Sequence, residues 1–121
     1  MRYFDMIKKV QDYSGFTEEE SKDALQLMVE SISVRLAEPI RYKFASQLPS
    51  FLKILALSVL PTKKNVNEDI VQQFMSFQQV GYKQAKMQIK AAWQTLKDGI
   101  GKKQTDLIRI GLSSKTNRLL S

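Results

Sequence analysis

The chain of 121 residues contains no cysteine and no histidine. Without cysteine there is no disulfide framework, no thiolate metal site and no thiol nucleophile. Without histidine the commonest general base and the commonest metal ligand are gone, and the serine–histidine–aspartate triad with them. Serines are plentiful, yet only serine–lysine arrangements survive and no motif marks one. A long hydrophobic run is missing too. The most apolar stretch, residues 48–61, is interrupted by Pro49, Ser50, Lys53 and Ser58 and falls well short of the roughly 20 residues that a spanning helix needs. The first ten residues carry Asp5, Lys8 and Lys9 and no continuous apolar segment of the kind that a signal peptide requires. These absences predict a soluble cytoplasmic protein with no integral membrane association, and they leave a poor inventory for an enzyme.

Phosphate-cradling loops are also missing. Gly99-Ile100-Gly101-Lys102-Lys103 has neither a preceding strand nor the spacing of a nucleotide fingerprint, and reads as a helix-ending turn. Glu18, Glu19, Glu20 and Asp23 are the densest carboxylate group and in principle offer oxygen ligands to Mg²⁺ or Ca²⁺. They stand at a helix start, where acidic residues are favoured in any case, so the capping role is preferred. No catalytic residue, metal or cofactor is expected.

What the chain does contain is an internal repeat. Shifting the sequence by 64 residues sets Ile7 on Val71, Val10 on Phe74, Tyr13 on Phe77, Phe16 on Val80, Leu25 on Ile89 and Met28 on Ala92. The match runs on through Ile32 on Leu96, Leu36 on Ile100, Phe44 on Ile108, Leu48 on Leu112 and Leu55 on Leu119 without an insertion. One supersecondary unit used twice, each copy covering the apolar face of the other, is the reading this supports. A chain of this length holds about one domain, so the copies share a core.

Helical spacing of Phe4, Ile7, Val10 and Ser14 before Gly15 predicts a first helix. Thr17-Glu18-Glu19-Glu20 is a capping box, and Leu25, Met28, Ile32 and Leu36 follow on a helix to about Ala37. Pro39 and Pro49 suit the first turns of two short helices. Residues 59–66 read as the connector, and Asn67 as the N-cap of the second copy. A long helix is predicted from Tyr82 to about Asp98, broken by Gly99 and Gly101, with shorter helices near 102–110 and 114–120. Alternation of period two is absent, so no strand is expected. The expected fold is all-α, a single domain in which two pseudo-symmetric helical repeats (1–58 and 67–121, about four helices each) form a compact bundle around one core.

Arg35-Leu36, then about ten residues, then Ala45-Ser46-Gln47-Leu48-Pro49 resembles the pattern of a bacterial domain-of-unknown-function family of small tandem-repeat all-helical proteins. The resemblance implies the same pseudo-symmetric bundle and carries no activity to any residue. Pro39-Ile40-Arg41 stands where members of that family often carry an acidic stretch, and Gly111-Leu112-Ser113-Ser114 replaces a second Gln-Leu-Pro.

Charge is divided unevenly. Residues 1–58 are neutral overall, and the net charge of +7 lies in the second half. On an ideal helix Lys83, Lys86, Lys90 and Lys97 fall within about 60° of one another, opposite Ala85, Ile89, Ala92 and Leu96. Lys102, Lys103, Arg109, Lys115 and Arg118 follow downstream. Lysines opposite an apolar stripe are commonly a solvated face. The sharper reading makes Lys83, Lys86, Lys90, Lys97, Lys102 and Lys103 candidates for anion binding, with nucleic acid, an anionic surface or an acidic protein as the ligand. Trp93 borders this face and reads either as a half-buried core residue or as a base-stacking platform. Arg35 is expected to pair with Glu38 or to cap carbonyls at the end of its helix.

Two functions follow as expectations: a helical module with a structural or protein-interaction role toward a partner the sequence does not identify, and non-specific binding of nucleic acid or another anionic polymer. A homodimer is a further expectation if the paired repeats leave apolar surface uncovered.

Overall fold

Helical spacing of apolar residues dominates the chain, and a computed structural model describing all 121 residues is helical throughout, with no strand. The elements are α1 (Tyr3–Ser14), α2 (Glu18–Arg35), α3 (Glu38–Ser46), α4 (Ser50–Leu57), α5 (Lys63–Asn67), α6 (Ile70–Gln78), α7 (Tyr82–Ile110) and α8 (Ser114–Leu120).

The boundaries follow local chemistry. Gly15 ends α1 in the left-handed region at φ 75°. Thr17 Oγ1 accepts from the Glu20 N–H at 3.1 Å while Glu20 Oε1 accepts from the Thr17 N–H at 3.0 Å, the capping box that the sequence predicts. Hydrogen bonding from the Thr17 backbone, then from its side chain, holds the Glu20 carboxyl below its ordinary value. Helix α2 stops at Arg35, two residues early, because Leu36 turns to an extended backbone and drives its side chain into the core. Pro49 is the N-cap of α4 rather than part of its first turn.

Four further sequence expectations need correction. The connector is not wholly irregular: Thr62 and Asn65 form a second capping box that nucleates α5 within residues 59–66. Asn67 therefore closes α5, donating to the Lys63 carbonyl, and Asp69 caps α6 by accepting from the N–H groups of Val71 and Gln72. In the long helix Gly99 stays helical, and the break falls at Gly101 alone, at φ 82° and ψ 167°. On α1 the buried stripe is Met6, Ile7 and Val10 with Tyr3 beside it, whereas Phe4, about 100° round from Tyr3, faces solvent.

Helices α2 and α7 lie against each other at the centre. Helix α1 packs across both and so does α6, while α4 lies on α2 and α8 on α7. The 27 buried apolar residues of both halves form one cluster. Leu25, Met28 and Ile32 of α2 and Ile89 and Leu96 of α7 are at its heart, each contributing about 1.5–3 kcal/mol by leaving water. No helix is long and apolar enough to cross a membrane.

Candidate anion-binding groove

Burial of Ala85, Ile89, Ala92 and Leu96 fixes the rotation of α7 and turns Lys83, Lys86 and Lys90 outward. Helix α8 lies alongside, started by Ser113, whose Oγ accepts from the Thr116 N–H at 3.2 Å. Between the two helices runs a groove of about 460 Å³ lined by Tyr82, Lys83, Lys86, Met87, Lys90, Arg118, Leu119 and Ser121. Four cations and no aspartate or glutamate side chain face it. None of the four makes an ion pair. The Lys86 ammonium sits over the Tyr82 ring, 5.3 Å from its centroid.

The six lysines singled out in the sequence do not act as one patch. Lys83, Lys86 and Lys90 meet in the groove, and Arg118 joins them from α8. Lys97 lies beyond the groove and is partly covered. Lys102 is 2.8 Å from Asp106, and Lys103 is exposed past the break at Gly101. Arg109 is occupied by Asn117 and Ser121, and Lys115 by Asp69 at 3.2 Å. Trp93 is 2% exposed, so it stacks on no ligand. It belongs to the core, with its indole N–H unpartnered. Sequence reasoning passed over Tyr82 and Met87, although Tyr82 stands one turn before Lys86 on the lysine face.

Arg35 is a structural residue. Its guanidinium donates to the Ser31 carbonyl at 2.7 Å, to the Glu68 carbonyl, and to Gln73 Oε1 at 3.2 Å, so it caps carbonyls and forms no ion pair with Glu38. It thereby ties α2 to the segment entering α6. Burial lowers its pKa, opposed by the charges of Glu68 and Asp69. It borders a cavity of about 530 Å³ with Glu68, Asp69, Tyr82 and Lys115, where the Lys115–Asp69 pair spends one cation on the protein's own carboxylate.

Near the far end of the lysine face, Asp98 accepts from Lys9 Nζ at 3.0 Å, from Gln94 Nε2 at 3.1 Å and from the Tyr13 hydroxyl, clamping α1 to α7. Burial alone would raise the Asp98 pKa, but these hydrogen bonds outweigh it and hold the carboxyl below its ordinary value. The bond to Asp98 raises Lys9 and Tyr13 in turn. No group of three or more carboxylates lies close enough to hold a metal ion.

Neither a protein-family model nor a curated protein matches the sequence. The motif resemblance therefore rests on its own residues, and these serve the fold: Leu36, Ala45 and Leu48 are buried, Gln47 ends α3 and Pro49 caps α4.

Proposed function

We propose that this protein is a binding module for an anionic polymer, with the α7–α8 groove as its contact surface. One observation carries the reading: Lys83, Lys86, Lys90 and Arg118 converge on a single groove with no aspartate or glutamate side chain among them and no ion pair to neutralise them. A solvated helix face has no need of this arrangement. Cations in the first turns of a helix oppose its dipole, and α7 starts with Lys83 and no acidic residue where α2 starts with three glutamates. The test is binding of inorganic polyphosphate, followed calorimetrically at low and near-physiological salt. Binding that weakens steeply with salt and disappears in Lys86→Glu/Lys90→Glu supports the reading. Absence of binding at low salt overturns it.

A second reading, a protein-interaction module of structural role, is favoured by the exposed apolar side chains of α1 and α4. Phe4 is 66% exposed and Ile54 65%, and Phe51 lies in the same region with its ring centroid 5.1 Å from that of Tyr3.

The scaffold beneath either function is, on this proposal, one helical unit used twice about a pseudo-twofold axis. Four helix boundaries recur 64 residues apart: the ends of α1 and α6 at Ser14 and Gln78, the starts of α2 and α7 at Glu18 and Tyr82, the ends of α3 and α7 at Ser46 and Ile110, and the starts of α4 and α8 at Ser50 and Ser114. Of the eleven apolar pairs, eight are buried in both members, two are half-buried in both and one, Tyr13 with Phe77, is exposed in both. The exchange of partners, α1 on α7 and α6 on α2, is what a twofold relation produces.

A further inference from the structure

We infer that the anion taken by the groove is single-stranded nucleic acid, with phosphates on Lys83, Lys86, Lys90 and Arg118 and bases on Tyr82 and Tyr13. The inference rests on the anionic-polymer reading above and narrows it.

The groove does not stop at Lys90. Met87 and Lys90 also line a second groove of about 550 Å³, bounded by Tyr13, Ser14, Ala91 and Gln94. The two share Met87 and Lys90, and between them they line α7 from Tyr82 to Gln94, twelve residues or about 18 Å of helix. A lone phosphate would need only one of these adjacent grooves, whereas a strand is long enough to reach both. Aromatic rings stand at both ends. Tyr82 is 57% exposed although Lys86 covers one side of its ring, and Tyr13 is 50% exposed with its hydroxyl held by Asp98. Aromatic platforms beside a cationic track are the requirements of sequence-tolerant single-strand binding, since every base offers a face to stack. A duplex hides those faces. A membrane surface calls for an apolar face that inserts, and these grooves are concave.

The matching positions of the first half sharpen the argument. Where Tyr82, Lys83, Lys86, Met87, Lys90 and Arg118 line the groove, the positions 64 residues earlier are Glu18, Glu19, Lys22, Asp23, Gln26 and Ile54. That set has the mixed charge of an ordinary solvated face. Of the two sets, only the second combines several cations with an exposed aromatic ring.

The experiment is fluorescence anisotropy of a labelled oligothymidylate with the full chain, alongside the equivalent duplex, inorganic polyphosphate as competitor and vesicles of anionic lipid. Four phosphate contacts on a single strand give a log–log salt slope of about −2.8, so raising salt fourfold weakens binding about 50-fold. Tyr82→Ala is expected to weaken oligothymidylate binding about tenfold and to leave polyphosphate affinity unchanged. Circular dichroism of the variant checks that the helices persist. Oligonucleotide and polyphosphate of equal affinity, both indifferent to Tyr82→Ala, overturn the inference and leave the anionic-polymer reading standing. Preference for duplex, or binding to vesicles without binding to the oligonucleotide, also overturns it. No binding of any anion at low salt overturns both.

Discussion

Gln84 Nε2 donates to Glu20 Oε2 at 3.5 Å, and the two residues stand 64 apart, the offset of the proposed repeat. Equivalent residues meet only near an axis that exchanges them. On the proposed two-copy architecture, the axis therefore passes by the first turns of α2 and α7. The same offset relates two backbone details that burial does not explain: Gly15 and Gln79 both end their helices in the left-handed region.

That pair makes the first prediction. Gly15 adopts φ 75° without strain, whereas Gln79 at φ 54° carries a Cβ in a conformation costing about 1 kcal/mol. Gln79→Gly is expected to stabilise the fold by about 1 kcal/mol and Gly15→Ala to destabilise it by a similar amount. Urea denaturation of the two variants measures both. Equal effects of one sign would contradict the assignment.

Gly101 makes a stronger demand. At φ 82° and ψ 167° it occupies a region essentially confined to glycine, and a Cβ placed there would meet no atom within 4 Å. The cost of Gly101→Ala is therefore backbone strain without a clash, about 1–3 kcal/mol. Gly101→Asn is expected to cost as much as Gly101→Ala, because asparagine's tolerance of positive φ is confined to the left-handed helical region and does not extend to ψ 167°. Thermal melts of the three proteins decide it.

Asp98 sets a pH dependence. Its folded pKa lies below the ordinary value of 3.8, so in that window the unfolded chain binds more protons and stability falls as pH falls. Lys9 and Tyr13, raised by the same bonds, contribute fully below their ordinary values of 10.5 and 10.0 and lose that contribution as pH rises through the folded values. Asp98→Asn is expected to flatten the dependence at both ends, and Glu20 to retain part of the acid arm through its own lowered pKa. Denaturation midpoints across the pH range, for the protein and the variant, check the direction.

Much of the fold was legible in the order of residues because its determinants are local or periodic. The Thr17–Glu20 box, Gly15 and the stripe from Leu25 to Leu36 act within a turn or along one helix. The helix at Lys63 was missed because its capping box uses asparagine where glutamate or glutamine is usual. Gly99 and Gly101 were indistinguishable as breakers, since only φ tells which one turns.

The candidate groove divides in the same way. Periodicity along α7 put Lys83, Lys86, Lys90 and Lys97 on one face, and that much follows from the helical repeat of 3.6 residues. Which cations are free depended on neighbours far away in the chain: Asp69 takes Lys115, Ser121 and Asn117 take Arg109, and α8 brings Arg118 across to Lys86 and Lys90. Trp93 was ambiguous for a similar reason, its burial being set by the helices packed against α7. Helix type, helix ends and the apolar stripes came from interactions between residues close in sequence. The groove, its unpaired charge and the Tyr13–Asp98 clamp came from packing that brings distant helices together, which no local pattern encodes.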